Sequence, residues 1–286
     1  MKSPVQNIQV TKINREGVLT KPDLLAVEEP LEIRLGFGQP ATREQRSLSV
    51  TMRTPGHDFE LALGFLFTEG IINSIEQIET IKYCSDTGKQ EEHENLVRVE
   101  LKQEVQLDFG KFQRHFYTSS SCGVCGKTSI DSVKIICDPI QHNLKITKEV
   151  IHSLPQRLRE AQQFFEYTGG LHASALFNKE GMLIILREDV GRHNALDKII
   201  GAMLFKNEVP MSDFILMLSG RTSFELVQKA AVAGIPVIAA VGAPSSLAVD
   251  LAKETGMTLL GFVREGGFNI YCGEQRISRP LAQVAN

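Results

Sequence analysis

No apolar run in this chain of 286 residues approaches the ~18 that a membrane-spanning helix needs. Met1 to Val10 lacks the apolar core of a secretory leader. Net charge is small, −3, with both signs mixed, so there is no basic stripe for a nucleic-acid backbone. Cysteine is scarce. Five is an odd number, and an odd count in a long chain argues against a secreted disulfide framework. These absences fit a reducing cytoplasm and exclude nucleic acid and membrane as partners. What is present is enough apolar material for a core, 42% of residues, in a length that suits one large or two ordinary domains.

The few cysteines are unevenly placed. Cys122 and Cys125 lie three apart in Ser119-Ser120-Ser121-Cys122-Gly123-Val124-Cys125-Gly126-Lys127-Thr128, whereas Cys84, Cys137 and Cys272 stand singly. Serine and glycine bury little apolar surface, so 119–128 reads as a mobile loop. Lys127 nearby favours the thiolate. An exposed, reactive sulfur on a flexible arm is the simplest reading. Three rivals fit less well. A structural zinc site needs four ligands, and no second Cys-x-x-Cys pair exists. A thioredoxin-like dithiol opens a helix straight after a buried strand, and these flanks start a helix poorly. Residues 121–128 approximate a phosphate loop with serine at its first glycine, but 111–117 is too polar for the strand that precedes one.

Residues 1 to about 30 alternate weakly and predict an edge strand plus loop. Segments 31–37 and 48–52 alternate as half-buried strands do. Segment 57–70 predicts a well-buried helix, apolar on more than one face, with Asp58 near its start and Gly70 at its end. Strands are expected at 78–84 and 96–101 around a charged turn at 89–94. Residues 1–118 thus form a smaller N-terminal α+β domain. After the loop, Thr147 can cap a turn beginning at Lys148, and Ser153 with Pro155 restarts a helix that runs to Tyr167. Strands at 172–177 and 182–186 form a hairpin, and 192–205 is a helix. Between them Arg187-Glu188-Asp189-Val190-Gly191-Arg192-His193-Asn194 crowds six polar groups at a strand-to-helix junction, where sites gather in α/β proteins. An ion-paired turn explains any single residue there equally well; the cluster favours function.

The C-terminal part alternates apolar strands at 214–218, 235–241 and 257–263 with helices at 223–233 and 245–255. That pattern predicts a parallel sheet buried on both faces. Ligands of such sheets bind beyond the carboxyl ends of the strands. Those ends carry Ser219-Gly220-Arg221, Gly242-Ala243-Pro244-Ser245-Ser246 and Arg264-Glu265-Gly266-Gly267. Helix N-termini at Ser223 and Ser245 add oriented N–H groups, so phosphate is the natural guest. Helix capping explains Ser245 but not two arginines. Ser219, Arg221, Ser245 and Arg264 are therefore candidate binding residues. Phe262 is left open between the core and the site.

Residues 121–126, 187–198, 219–221 and 229–271 together resemble the FdhD-type accessory sulfurtransferases of formate dehydrogenase maturation. The set is specific; the Cys-x-x-Cys alone is not. The resemblance implies a sulfur carrier that accepts persulfide sulfur from a cysteine desulfurase. It would pass that sulfur to the Mo-bis(molybdopterin guanine dinucleotide) cofactor of formate dehydrogenase, with GDP as a mimic. Cys122 matches the loop cysteine that carries the sulfur, and Cys125 is the second candidate catalytic residue. Phe262, Val263, Arg264, Glu265, Gly266 and Gly267 match the cofactor-binding stretch. A homodimer is implied, with no permanent cofactor and no metal. The implied fold is α/β, α+β overall: a C-terminal three-layer core like that of cytidine deaminase (119–286, beginning with the loop) behind the N-terminal domain. Zinc deaminases use His-x-Glu and a later Pro-Cys-x-x-Cys. Here His172-Ala173-Ser174 has serine at the glutamate position and the Cys-x-x-Cys comes first, so hydrolytic chemistry is disfavoured. A chaperone that binds the cofactor without moving sulfur is the other alternative.

Overall fold

The computed structural model describes residues 2–15, 17–84, 94–105, 107, 139–141 and 144–278. The cysteine loop, with Cys122 and Cys125, lies outside the described residues, as does all of the charged turn except Glu94. At the start, β1 (Val5–Asn14) and β2 (Gly17–Ala26) pair as a long antiparallel ribbon, where an edge strand plus loop was expected. The pattern is weak because the ribbon buries neither face: Ile13, Val18 and Leu19 are all exposed. Next, β3 (Glu29–Phe37), β4 (Glu44–Arg53), β5 (Ile78–Tyr83) and β6 (Leu96–Leu101) form a sheet in the order β4-β3-β6-β5. Leu31, Ile33 and Leu35, every second residue of β3, are buried, as alternation requires. They share a core with α1 (Asp58–Thr68).

Beyond the loop come β7 (Ile146–Thr147), α2 (Lys148–Ala161) and α3 (Gln163–Thr168). The Thr147 hydroxyl caps α2 by accepting from the Val150 amide at 3.4 Å. Pro155 lies inside α2 rather than at a new start. Ile151, Leu154 and Leu158 hold one buried stripe across it, and that packing outweighs the one missing N–H. The helix breaks later, at Gln162, and Gly169 in the left-handed region ends α3.

The larger sheet contains β8 (His172–Phe177), β9 (Leu183–Asp189), β10 (Ile215–Leu218), β11 (Val237–Ala240), β12 (Thr258–Arg264) and β13 (Gly267–Cys272). Interleaved are α4 (Arg192–Phe205), α5 (Phe224–Val232) and α6 (Ser246–Glu254), and β14 (Ile277–Ser278) pairs with β7. The sheet order is β13-β12-β11-β10-β8-β9. Only β10, β11 and β12 run parallel; β8, β9 and β13 are antiparallel to their neighbours. Apolar runs reveal burial on two faces, not direction, and short turns force the flanking strands to reverse.

Both faces are covered. Leu176, Leu216, Leu218, Ile238, Ala240 and Leu259 pack toward α4, α5 and α6. Ala175, Phe177, Ile215, Met217, Ala239 and Val263 pack toward α2. The result is a mixed α/β, three-layer body. Its first core continues through α1 into the N-terminal sheet, joining Leu31 to Leu259 in one cluster. No helix among the described residues is long and apolar enough to cross a membrane.

Helices α1 and α4 cross almost backbone to backbone. A Cβ on Gly64 would overlap the carbonyl of Asp197, and one on Gly201 that of Glu60. Glycine is needed here for space. Gly64→Ala should therefore lose about 2 kcal/mol or more of stability, the cost of overpacking plus helix displacement. Urea denaturation reads this as a lower midpoint at unchanged slope. Gly266→Ala is the control, since its added Cβ meets nothing within 4 Å. An equal midpoint for Gly64→Ala and wild type would refute the close-crossing argument.

Candidate functional site

Three parallel strands end at one edge of the large sheet. Because β8 and β9 alternate in direction, His172 begins and Asp189 ends at that same edge. It therefore gathers His172, 189–193, 219–223, 241–245 and 262–267. Backbone hydrogen bonds lock these turns together. The Gly242 amide donates to Gly220 O at 3.0 Å, and the Thr222 amide to Ala243 O at 3.1 Å. The Ser245 amide donates to Thr222 O at 3.0 Å, and the Phe262 amide to Gly242 O at 3.2 Å. A Cβ on Gly242 would press on Arg221 at 3.0 Å, so the turns nest because that side chain is missing.

The expected binding residues take different parts in this platform. Arg221 and Arg264 are exposed, and neither side chain has a hydrogen bond or ion pair to another described residue. The Arg264 carbonyl accepts from His152 Nδ1 at 3.1 Å, which pins the β12–β13 turn to α2. The Ser219 hydroxyl accepts from the Ala173 amide at 2.8 Å. Ser245 caps α6, its hydroxyl accepting from the Ala248 amide at 3.3 Å. Glu265 and Gly266 are exposed at the hairpin tip, closed by the pairing of Arg264 with Gly267. Phe262 is 46% exposed, and Val263, at 1%, is the core residue. Phe262 also adopts φ 53°, a left-handed conformation that is costly for a bulky residue and typical of functional sites.

The crowded segment 187–194 divides in two. Arg187 grips Glu60 with two bonds of 2.6 and 2.8 Å. Buried Asp189 pairs with buried Lys198 at 2.6 Å. It also accepts from the Thr54 amide at 3.1 Å, the Gly191 amide at 2.8 Å and Asn194 Nδ2 at 3.0 Å. These residues clamp the two sheets' elements together. Arg192 and His193 remain, beside His172. His193 Nε2 lies 3.2 Å from Ser223 Oγ and 3.8 Å from Glu225. The hydrogen bond to His193, against the opposing effect of burial, brings the Glu225 carboxyl down to about 2. Burial pushes the His172 imidazole below its ordinary value, and the nearby Arg192 and His193 push it further. Arg192 Nε is buried with no partner in the described structure.

Two buried pairs escaped the sequence reading. Lys229 bonds Asp197 at 2.9 and 3.0 Å and Thr68 at 2.8 Å, and Arg53 holds Asp58 through two bonds of 3.0 and 2.9 Å. Burial alone would lower the Lys229 pKa, yet the Asp197 carboxylate raises it. The available signal was Asp197 and Lys198 standing in an otherwise apolar stretch of α4.

Glu60 gives this clamp a pH signature. Burial raises its carboxyl, but the Arg187 hydrogen bond, helped by His57, lowers it from 4.5 to about 2. A depressed folded-state pKa stabilises above the unfolded value, and that contribution is lost as pH falls toward 2. Wild type should thus be more stable than Glu60→Gln at pH 6, with the gap narrowing between pH 4.5 and 2.5 in thermal melts. A gap independent of pH would show that the ion pair does not act this way.

The chain matches the family model described as FdhD/NarQ family over residues 26–278. It is 49% identical over 278 residues, 96% of each chain, to "Sulfur carrier protein FdhD" of Streptomyces avermitilis. It is 41% identical over 273 residues to the protein of the same name from Saccharolobus solfataricus, covering 96% of this chain and 98% of that one. Among solved structures it is similar to a putative formate dehydrogenase accessory protein from Desulfotalea psychrophila. The TM-score is 0.73 at 24% identity, over 96% of this chain and 100% of that one, a likeness of fold. The match of sequence along nearly the whole chain, on the same architecture, places this protein in the FdhD/NarQ family.

Proposed function

We propose that this protein carries sulfur for the maturation of formate dehydrogenase, loading it on Cys122 and delivering it to a molybdenum cofactor held at the sheet edge. The observation that carries the reading is the identity, 41–49% over at least 94% of the chain, to proteins named sulfur carriers. Lys127, near Cys122 in the sequence, favours the thiolate form that such chemistry needs. Exposed Arg221 and Arg264 support an anionic guest, because guanidinium grips pyrophosphate bidentately. The guest is Mo-bis(molybdopterin guanine dinucleotide), and the protein works as a cytoplasmic homodimer.

The chemistry balances. The Cys122 thiolate attacks the terminal sulfur of a desulfurase persulfide, forming a new S–S bond and releasing the desulfurase cysteine as thiolate. For discharge as hydrosulfide, the Cys125 thiolate attacks Cys122 Sγ. The products are HS⁻ and a Cys122–Cys125 disulfide, which a dithiol reductant reopens. A lone-carrier route needs no Cys125.

Intact mass after incubation with a desulfurase and cysteine should show one labile sulfur on wild type and on Cys125→Ala, and none on Cys122→Ala. Loading of Cys122→Ala but not Cys125→Ala would reverse the assignment. Formate dehydrogenase activity undiminished by Cys122→Ala would favour the chaperone alternative. In calorimetric titration, Arg264→Ala should weaken GDP binding by about 1.5–3 kcal/mol, one charge-assisted contact, while Cys122 still loads. Equal affinity for GDP and ADP would remove the base preference; no heat with either would remove the nucleotide site.

A further inference from the structure

Strand β9 closes one side of the large sheet, with β8 as its neighbour, and its outer edge is open over part of its length. The direction of its backbone groups follows from β8. The Ala173 carbonyl accepts from the Ser219 amide at 3.0 Å, and the Ala173 amide donates to the Ser219 hydroxyl at 2.8 Å. Ala173 therefore turns toward β10. In an antiparallel pair, opposite residues turn their backbone groups either toward each other or both away. Glu188 stands opposite Ala173 and Leu186 opposite Ala175, so Glu188 and Leu186 turn away from the sheet. At the next outward position, Val190, the amide is met by the Thr54 hydroxyl at 3.2 Å. The amides of Leu186 and Glu188 have no acceptor among the described residues.

A cavity of about 360 Å³ lies beside these two residues, with Pro55, Ala161, Phe164 and Leu183 in its walls. The charged groups around it are engaged. Arg187 holds Glu60 at 2.6 Å, and Lys198 pairs with Asp189 at 2.6 Å. The Glu188 carboxylate accepts from the Phe164 and Phe165 amides at 3.0 and 2.8 Å. What the cavity offers is backbone hydrogen bonding between apolar walls, which suits an added strand rather than an ion. At the start of β9, Met182, Leu183 and Ile184 are exposed, so the apolar row continues out of the cavity. Exposed apolar edges invite pairing, and folds otherwise charge or cover them.

We propose that this edge receives an extended segment of a partner protein, which adds as a strand beside Leu186 and Glu188 and sets apolar side chains, at alternate positions, against the cavity walls. The Thr54 hydroxyl already fills the first place in that line, at Val190. A second copy of this chain does not suit the place. Its own Leu186 and Glu188 are recessed between the same walls, and two recessed edges cannot meet. The proposal uses none of the residues assigned above to sulfur or to nucleotide.

The probe is a set of fluorescent, terminally blocked short peptides of the pattern apolar-Thr-apolar-Thr-apolar, with Val, Ile, Leu or Phe at the apolar positions, titrated into the full chain. Members of the set should bind, and amide exchange at Leu186 and Glu188 should slow in their presence. N-methylation of alternate peptide residues should abolish binding in one phase and spare it in the other, since only every second peptide N–H faces the edge. Leu186→Pro removes one donor at an edge position where proline is tolerated, and should weaken binding about three- to tenfold. Phe164→Ala should weaken the members with the largest side chains most. Thermal midpoints of both variants, read beside wild type, separate lost contact from lost fold, and the N-methylated peptides decide the matter on wild type alone. Absence of binding by every member at millimolar concentration overturns the proposal. So do N-methylated phases that bind equally, or exchange at Leu186 and Glu188 that the peptides leave unchanged. Exchange there that slows with protein concentration alone would assign the edge to a second copy and overturn it as well.

Discussion

The near contact of two helix backbones sets the positions of most other parts. At the α1–α4 crossing, Gly64 and Gly201 each face a carbonyl of the opposite helix. Their missing side chains let the N-terminal sheet and the three-layer body share one core. A larger residue at either place would part the helices by more than a methyl group, since interiors are packed too densely to absorb the difference elsewhere. Among the described residues, Thr54 and Glu60 of the first part reach Asp189, Lys198 and Arg187 of the second across that crossing.

Those contacts are charged and buried, which makes them exacting. The Thr54 amide donates to Asp189 at 3.1 Å, the Thr54 carbonyl accepts from Lys198 at 2.9 Å, and its hydroxyl accepts from the Val190 amide at 3.2 Å. One residue of the N-terminal half is thus held on three atoms by the junction of β9 and α4. Asn194 adds a bond to Met52 O at 2.8 Å. Buried pairs of this kind contribute little net stability when intact, but breaking one strands a charge at a cost of about 3–5 kcal/mol. They select one docking geometry. They also fix where α4 begins, and therefore the position of Arg192 and His193 at the sheet edge.

The sequence was most informative where a segment's environment is local. Helix 192–205 was legible to the residue, as were the Thr147 and Ser245 caps, because apolar spacing and capping chemistry act within a few positions. Ser219, Arg221 and Arg264 were likewise legible as neighbours, because they stand at the carboxyl ends of strands that pair in parallel. The clamp was hidden because its partners are distant in sequence: Thr54 and Asp189 differ by 135 positions and Lys229 and Thr68 by 161. Asp189 reads as a candidate site residue until its partners are known. Phe262 was ambiguous because alternation cannot register an irregularity. The pairing of β12 with β13 shifts between Gly261 and Arg264, which turns Phe262 outward and Val263 inward.

Burial of the central strands on both faces carries a cost in pairing specificity. In a strand with one wet face, slipping by one residue exposes apolar groups and buries polar ones, so the error corrects itself. Here Ile215, Leu216, Met217 and Leu218 are all buried, as are Val237, Ile238, Ala239 and Ala240. A slip of β10 against β11 would exchange one apolar set for another and meet little solvation penalty. Discrimination falls to the strand ends, where the Ser219 hydroxyl meets the Ala173 amide and the Gly242 amide meets the Gly220 carbonyl. The turns that form the candidate site therefore also act as the alignment marks of the sheet. Changes made there to alter ligand preference would be felt first as heterogeneity in strand pairing.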